Sequence, residues 1–338
     1  MIETDIDLQP HNTLAISARS AHFARVQTLE QLREALAFAR ERHLPILPLG
    51  GGSNIVLTGD FPGLAIQVDL CGSTIVPDDS GHAIEVAAGE NWHQLVMATV
   101  ERGLGGLENL ALIPGKVGAA PIQNIGAYGV ELCDRFAGLQ AMEIASGELH
   151  AFSAADCEFA YRDSVFKGRL RDKYIITQVS LRLPKEWRAH TDYPALRHYL
   201  TEHHRGCDLL TPIQVTQAVI AIRNSKLPLP EKIPNAGSFF KNPIVDSDSY
   251  LNLKAEHPDL VAFAAGDGWK LAAGWLIDRA GWRGVRRNSV GVHELQALVL
   301  VNPGRGAGVE VTQLAEEIAA DVRVKFGVSL EPEPRYYP

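Results

Sequence analysis

The sequence predicts an α+β protein that folds as two or three domains. It has 338 residues, which is more than one small domain contains. Short apolar segments typical of strands recur from about residue 70 to residue 186. Beyond a segment with three prolines at 225–234, helix and strand patterns alternate and indicate a separate α/β domain of about 100 residues.

The first elements are a capped helix and a glycine loop between two strands. Thr28 is suited to cap a helix, and Gln31 completes the pattern of a capping box. Apolar residues follow at helical spacing: Leu29, Leu32, Leu36 and Ala39. The segment ILPLGGGSNIVL, from Ile46 to Leu57, has apolar runs on both sides of its glycines and predicts strand, loop and strand.

Two short strands and a second helix come next. Between Leu64 and Ala88 the segments AIQVDL and AIEVAAG predict strands. Asn91 is expected to cap a helix that Gly103 terminates with a left-handed turn. One face of this helix carries Trp92, Leu95, Val96, Thr99 and Val100.

A long segment at 107–129 is the second glycine-rich region of the chain. It reads LENLALIPGKVGAAPIQNIGAYG. Because glycine, alanine and proline have little side-chain volume, we expect this region to bring backbone close to a ligand and not to fill a core.

Later elements continue the mixed pattern. LQAMEIA and YIITQVSLRL predict strands, and a helix is expected from Thr211 to about Asn224. In the last domain, KLAAGWLIDRAGW predicts an apolar helix that ends at Gly281. HELQALVLVN predicts a strand and VTQLAEEIAADVRVKFG an amphipathic helix.

The composition is that of a soluble globular protein. Hydrophobic residues make up 46% and charged residues 21%, and 32 Lys and Arg against 40 Asp and Glu give a net charge of −8. An acidic chain lacks the basic face that nucleic acids and anionic membranes attract, so neither is expected as a partner. The N-terminal residues lack the pattern of a signal peptide, and we expect a cytoplasmic protein.

The cysteines also favour a cytoplasmic protein. Cys71, Cys133, Cys157 and Cys207 are scattered singly, with no CxxC pair. Such spacing is typical of free thiols in a reducing environment and indicates neither a disulfide framework nor a zinc site.

The glycine-rich regions fit none of the standard nucleotide motifs. A GxGxxG pattern would need glycine at position 55 or 108, where the chain has Ile55 and Glu108. No P-loop and no HExxH motif is present. Glycine-rich backbone between strands either forms tight turns or gathers N–H groups around an anion. Two such loops on one chain favour a large phosphorylated ligand.

Six further segments stand in order along the chain: PLGGGSN, IPGKVGAAPIQNIGAYG, YRDSVFK, NAGSFFKNP, AAGWLID and LEPEPR. Together they resemble the UDP-N-acetylenolpyruvoylglucosamine reductases, the flavoenzymes of bacterial cell-wall precursor synthesis. They extend from about Asn12 to Arg335. The resemblance implies an FAD-binding module of the vanillyl-alcohol-oxidase type with two subdomains, 1–70 and 71–227, and a substrate-binding domain at 228–327. Residues 328–338 are expected to return to the second subdomain.

The resemblance also implies the ligands of this module. Non-covalent FAD is expected along the two glycine-rich regions, with NADPH as hydride donor and no metal. The residues expected to bind FAD are Gly50, Gly51, Gly52, Ser53, Asn54, Gly115, Gly118, Asn124, Gly126 and Tyr128. We expect the chain to act as a monomer.

The reaction implied is reduction of UDP-N-acetylglucosamine enolpyruvate to UDP-N-acetylmuramate. Arg162 is expected to stabilise the charge that develops on the substrate carboxylate, although an arginine also commonly pairs with a neighbour such as Asp163. Ser238 is implied as the proton donor, where the sequence alone suggests a turn residue. Glu333, chosen over Glu331 because it stands two residues before Arg335, is the second catalytic acid.

Substrate-binding residues and two departures complete the resemblance. Tyr193, Lys226 and Asn242 correspond to positions that bind the nucleotide sugar. Relatives have a mobile tyrosine before AAGWLID, where this chain has the aromatic residues Phe263 and Trp269, so that role is not assigned. Pro334 interrupts the expected last strand, because proline has no N–H to donate.

Two other functions fit parts of the sequence. One is an FAD-dependent oxidase of alcohols or sugars with the same fold, and the other is a nucleotide-sugar binding protein without catalysis. The oxidase is disfavoured because the segments of the last domain also resemble the reductases.

Overall fold

The computed structural model describes residues 2–204 and 210–338, so the predicted free thiol Cys207 lies outside the described residues. The chain divides into two compact units. The first unit comprises Met1–Ile6, Ser20–Gly51 and Pro62–Ser225, and the second comprises Asp7–Arg19, Gly52–Phe61 and Lys226–Pro338.

Strands and helices alternate along the described chain. The strands are β1 (Ile2–Asp7), β2 (Arg19–Val26), β3 (Ile46–Leu49), β4 (Ile55–Leu57), β5 (Phe61–Val68), β6 (Ser73–Asp78), β7 (Gly81–Ala87), β8 (Gly126–Ala127), β9 (Val130–Glu131), β10 (Phe136–Glu143), β11 (Leu149–Phe152), β12 (Tyr174–Pro184), β13 (Asn235–Ser238), β14 (Ile244–Val245), β15 (Ala262–Ala265), β16 (Gly268–Leu271), β17 (Arg286–Arg287), β18 (Val290–Val292), β19 (Val299–Val301) and β20 (Arg335–Tyr337). The α-helices are α1 (Leu29–Glu41), α2 (Trp92–Val100), α3 (Ala154–Cys157), α4 (Pro194–His203), α5 (Pro212–Lys226), α6 (Ser247–Glu256), α7 (Ala273–Arg279) and α8 (Gly308–Phe326). Short 3-10 helices cover Gln9–His11, Glu108–Leu110, Val117–Gln123 and Leu132–Asp134.

The first sheet of the first unit has the order β1-β2-β5-β3 and carries α1. Thr28 caps this helix as predicted, since its hydroxyl accepts a hydrogen bond from the Gln31 N–H at 3.1 Å. The predicted capping box does not form, because the Gln31 side chain accepts from the Gln27 N–H instead. The apolar face of α1 is buried with strand residues in one core cluster. Its buried members are Leu32, Ala35, Leu36 and Ala39.

The second sheet of the first unit is antiparallel, with the order β11-β10-β12-β7-β6. Its core includes α2, which Asn91 caps and whose predicted apolar face is fully buried. Gly103 has a φ of +76° and follows the end of this helix, as predicted. The segment 107–129 was expected not to fill a core, and this expectation is wrong for its larger side chains. Leu107, Leu110, Val117 and Ile125 are all buried in the same core.

In the second unit, a four-stranded sheet has the order β13-β19-β18-β17 and a three-stranded sheet the order β14-β16-β15. The helix predicted from KLAAGWLIDRAGW is shorter than expected, because Lys270 and Leu271 belong to β16. In the same way, only Val299–Val301 of HELQALVLVN forms a strand. The amphipathic helix is confirmed as α8, which contacts α7, β4 and β18.

The end of the chain changes partners at Pro334. Before it, Glu333 N–H donates to the Phe239 carbonyl at 2.8 Å, and Pro332 forms a bridge with Phe240. After it, β20 pairs in parallel with β4, which lies in the range expected for the first subdomain. Pro334 stands between these two pairings and needs no N–H, so its presence is compatible with both. The division into three domains remains a prediction.

Among the described residues, no helix has the combination of length and apolar character that crossing a membrane requires.

Candidate cofactor and substrate site

The two glycine-rich regions meet backbone to backbone in the first unit. A Cβ placed on Gly51 would lie 2.9 Å from the Cα of Gly115, and one on Gly50 would lie 3.4 Å from the Cβ of Lys116. Gly115 has a φ of +122°, in the region that favours glycine. Glycine is therefore required at positions 51 and 115 for this close approach of the two loops.

Side chains fix both loops on the sheet. Gln67 donates from Nε2 to the Gly50 carbonyl at 2.6 Å. Lys116 donates from Nζ to the Gly89 carbonyl at 2.6 Å and lies 3.5 Å from the carboxylate of Asp69. Gly118 N–H donates to the Ala88 carbonyl at 2.9 Å, and a Cβ on Gly118 would be 2.5 Å from that of Ala88. These contacts hold the loop backbone in one position.

The first glycine loop continues into the second unit. Gly52 has a φ of +59°, and a Cβ there would overlap the His11 carbonyl oxygen. Ser53 is half-buried. Asn54 donates from Nδ2 to the Glu333 carbonyl at 3.3 Å, and its own carbonyl accepts from the Arg335 N–H at 3.1 Å. Asn54 thus ties the loop to the C-terminal segment.

Asn124 is buried, and its side chain is occupied by the protein. Its Nδ2 donates to Glu131 Oε2 at 2.7 Å and to the Ala160 carbonyl at 3.2 Å, while its Oδ1 accepts from the Cys133 N–H at 3.0 Å. If Asn124 contributes to cofactor binding, its side chain does so by fixing the conformation of the loop and not by a direct contact.

Arg162 lies against the strand that contains Gly126. Its Nη2 donates to the Gly126 carbonyl at 2.6 Å, and a Cβ on Gly126 would be 3.0 Å from Nη1. The neighbouring carboxylate of Asp163 accepts from the Ser164 N–H. The structure therefore brings together Gly126 and Arg162, which are 36 residues apart in sequence.

Tyr128 and Tyr193 form an edge-to-face pair with their ring centroids 5.1 Å apart. Tyr193 is the residue before α4 and is 40% exposed. Burial raises the pKa of Tyr128. Asn109 donates from Nδ2 to the carbonyls of Tyr128 at 3.0 Å and His190 at 2.9 Å, and so links the backbone at Tyr128 to the segment that precedes Tyr193. Sequence reasoning missed Asn109.

Arg223 on α5 is a second residue that sequence reasoning missed. Its Nε is completely buried and has no hydrogen-bond partner among the described residues. Burial lowers the pKa of Arg223, and the Arg162 guanidinium lowers it further, while Tyr128 acts in the opposite direction. A signal was present, because Arg223 follows buried Val215 and Val219 at helical spacing and therefore lies on the inner face of α5.

In the second unit, Ser238 is the last residue of β13, whose pairing with β19 is irregular between Asn235 and Ser238. Asn235 accepts the Gly237 N–H at its Oδ1 and donates to the carbonyls of Pro228 and Ile233. Gly237 has a φ of +70°, and Ser238 is exposed next to it.

Glu333 and Ser238 are close in this unit although they are far apart in sequence. The Glu333 N–H bonds to the carbonyl of Phe239, the residue after Ser238, and Glu333 is half-buried. Lys241, three residues after Ser238, forms an ion pair with Glu331 at 2.5 Å.

Asn242 and Lys226, the other residues expected to bind the substrate, differ in their contacts and exposure. Asn242 accepts the Ala273 N–H at its Oδ1, at 2.9 Å, and so supports the start of α7. Lys226 is exposed at the end of α5. Of the two aromatic candidates for the missing tyrosine, Trp269 stacks on Tyr250 with centroids 3.9 Å apart, whereas Phe263 is 39% exposed.

Comparison with known proteins identifies the family. The model of the UDP-N-acetylenolpyruvoylglucosamine reductase C-terminal domain matches residues 228–337, and that of an FAD binding domain matches residues 20–153. The reductase of Paraburkholderia phymatum is 51% identical over 98% of this chain and 96% of its own. The chain belongs to the UDP-N-acetylenolpyruvoylglucosamine reductase family. The reductase of Pseudomonas fluorescens is 48% identical over 99% of both chains.

A solved member of the reductase family has the same fold. The enzyme from Thermus caldophilus aligns over 100% of this chain and 99% of its own, with a TM-score of 0.68 and 24% identity. The predicted fold class, an FAD-binding module followed by a C-terminal domain, is confirmed.

The first unit fits the FAD of this reductase family. The contact between Gly51 and Gly115 packs bare backbone of the two loops together, with no room for a side chain between them. Such backbone suits the approach of a diphosphate. The assignment of individual FAD contacts remains a prediction.

Proposed function

We propose that this protein reduces UDP-N-acetylglucosamine enolpyruvate to UDP-N-acetylmuramate with NADPH, through bound FAD, in peptidoglycan precursor synthesis. The observation that carries this proposal is the 51% identity over 98% of the chain to a reductase of that name. The oxidase alternative has no comparable support. A cytoplasmic location and a monomeric state complete the proposal and rest on the sequence alone.

When bound, FAD would supply the hydride-transfer chemistry that couples oxidation of NADPH to reduction of the substrate double bond. Within the first unit, the loops that contain Gly50, Gly51, Gly115 and Gly118 would hold this cofactor by their backbone. Gly126 and Tyr128 would border it, because they follow the second loop and contact Arg162 and Tyr193 respectively. Gly52, Ser53 and Asn54 would extend the first loop toward its phosphates.

Arg162 would bind the substrate carboxylate. Addition of hydride to an alkene next to a carboxylate moves negative charge onto that carboxylate, so a fixed cation lowers the barrier. The 2.6 Å hydrogen bond to the Gly126 carbonyl orients the Arg162 guanidinium before substrate arrives. A planar guanidinium also matches the two oxygens of the carboxylate.

Ser238 would donate the proton that completes the reduction, and Glu333 would assist next to the carboxylate. The hydrogen bond from the Gly237 N–H to Asn235 Oδ1 fixes the irregular stretch of β13 that ends at Ser238. The bond between the Glu333 N–H and the Phe239 carbonyl keeps the two catalytic residues on neighbouring segments. Lys241 is engaged by Glu331, so we do not assign it to proton transfer.

Tyr193, Lys226 and Asn242 would bind the nucleotide sugar. The ring of Tyr193 packs edge to face against Tyr128, and Tyr193 is 40% exposed. Lys226 offers an exposed ammonium group to a diphosphate. Asn242 uses its Oδ1 for the Ala273 N–H, which leaves its Nδ2 as the atom that would meet a substrate oxygen.

The test separates the two half-reactions under anaerobic conditions. For Ser238→Ala, we expect NADPH to bleach the flavin within about twofold of the wild-type rate, and reoxidation by the enolpyruvyl substrate to slow by at least about 100-fold. The matched control is Ser247→Ala, an exposed serine at the start of α6. An unchanged rate of reoxidation in Ser238→Ala would contradict the role of Ser238 as proton donor. A purified protein that binds no FAD would contradict the proposed reductase function.

A further inference from the structure

His93, the second residue of α2, binds the backbone of the second glycine-rich region through its ring. Its Nδ1 accepts a hydrogen bond from the Leu112 N–H at 3.2 Å. The residue before it, Trp92, donates from Nε1 to the Leu110 carbonyl at 3.0 Å. Two neighbouring side chains at the start of α2 therefore attach the segment 110–112 to this helix.

Leu112 has a backbone conformation that needs such support. Its φ is +56°, in the left-handed region that disfavours a residue with a bulky side chain. Leu112 stands where the chain leaves the 3-10 helix Glu108–Leu110 and continues toward Gly115. The bond to His93 gives the Leu112 N–H an acceptor in this conformation and so stabilises it.

The conformation of Leu112 decides how the chain enters the loop that packs on Gly51. Gly115 follows three residues later, and its carbonyl accepts from the Trp92 N–H at 3.1 Å. A Cβ on Gly51 would lie 2.9 Å from the Cα of Gly115, so neither loop has room to move toward the other. A different conformation at Leu112 would therefore displace the loop from α2 or from Gly51.

The bond to Leu112 requires a neutral imidazole, because a protonated ring has no acceptor atom. Burial, and then the positive charge of Arg223 on α5, lower the pKa of His93. His93 also lies in the first turn of α2, where the N-terminal end of the helix dipole disfavours a cation. This turn contains no acidic residue that would favour the proton.

We propose that neutral His93 is a positioning residue for FAD, because its ring holds Leu112 in the conformation that places Gly115 against Gly51. This inference rests on the function proposed above, in which the two glycine loops bind the cofactor, and it adds a residue outside those loops. Since a proton on His93 removes the acceptor, FAD binding should weaken as the pH falls through the lowered pKa of this histidine. The contribution is fully present above about pH 6.5, the ordinary pKa of a histidine.

The first measurement is the dissociation of FAD from the holoenzyme at about pH 7.5, followed by the rise in flavin fluorescence on serial dilution. His93→Phe keeps a ring but removes the acceptor, and we expect the Kd for FAD to rise at least about fivefold. His93→Asn keeps an acceptor near the position of Nδ1, so its Kd should stay within about twofold of the wild-type value. The matched control is His43→Asn, which replaces an exposed histidine of the same unit and should leave the Kd unchanged.

The second measurement repeats the dilutions at about pH 5, where the ring of His93 takes up a proton. For the wild type and for His43→Asn, we expect the Kd for FAD to rise at least about threefold between the two pH values. Asparagine does not titrate, so in His93→Asn this rise should be absent. A residue with only a packing role would not move this pH profile.

The outcomes separate this inference from the proposed function. Wild-type affinity in His93→Phe overturns the inference, and so does equal weakening in His93→Phe and His93→Asn, which would make His93 a packing residue. The same pH dependence in the wild type and in His93→Asn would assign the titration to another group and also overturns it. If His93→Phe does not fold, His93→Asn and its pH profile decide. A wild-type protein that holds no FAD at either pH instead contradicts the proposed function.

Discussion

Replacing Gly51 with alanine places a Cβ 2.9 Å from the Cα of Gly115 and 3.6 Å from its carbonyl carbon. These are backbone atoms, which cannot rotate away as the end of a side chain can, so one of the two loops must shift. Overpacking of this kind costs about 1–3 kcal/mol. If the whole of this cost is lost from the free energy of FAD binding, the Kd for FAD rises by about 5- to 150-fold.

The assay is titration of the FAD-free protein with FAD, followed by the quenching of flavin fluorescence. Gly168→Ala is the matched control in the same unit, because Gly168 is exposed and the nearest atom to an added Cβ is a carbonyl oxygen at 3.8 Å. We expect Gly168→Ala to bind FAD within about twofold of the wild type. Wild-type FAD affinity in Gly51→Ala would refute the reasoning that the contact between these loops forms the cofactor cradle.

Three further predictions concern Gly237 next to Ser238, the buried Asn109 and the cysteines. Gly237 has a φ of +70°, so Gly237→Ala should strain the backbone and slow hydride transfer to the substrate without slowing flavin reduction. Asparagine tolerates this φ better than alanine, so Gly237→Asn should recover much of the rate in the same half-reaction assay. Asn109→Asp replaces a donor to two carbonyls by a carboxylate that repels them, so a thermal scan should show a melting temperature lower by at least about 5 °C, and an unchanged value contradicts the hydrogen bonding. Burial raises the pKa of Cys157 to about 12, whereas Cys71 is exposed, so iodoacetamide near neutral pH should modify Cys71 and spare Cys157 in the folded protein, as peptide mass mapping would reveal.

Local features of the fold were predictable because they depend on neighbours in sequence. Thr28 and Asn91 cap their helices with their own side chains, and the alternation of β7 and β12 produces paired antiparallel strands. The predictions failed where a distant segment took part. The helix at 273–279 is shorter than its apolar pattern, since the preceding residues pair with β15 and β14.

The residues of the candidate site show the same contrast between features that local sequence reveals and features that depend on distant segments. The glycines were found because two loops of unusual composition stand out in a sequence, and the resemblance supplied Arg162, Ser238 and Glu333. The contact of Gly51 with Gly115, by contrast, depends on how distant loops pack, and no local pattern encodes it. Arg223 was missed because a lone arginine on a helix is ordinarily solvated, and only the fold reveals that its Nε is buried without a partner.

The central claim is that electrons from NADPH pass through FAD to the enolpyruvyl sugar nucleotide. It is tested most directly by reducing the purified holoenzyme with one equivalent of NADPH without oxygen and then adding UDP-N-acetylglucosamine enolpyruvate. The account predicts that the flavin is bleached, that its absorbance returns with the substrate, and that UDP-N-acetylmuramate forms in equal amount. A reduced flavin that stays bleached with this substrate and is reoxidised only when oxygen is admitted would contradict it.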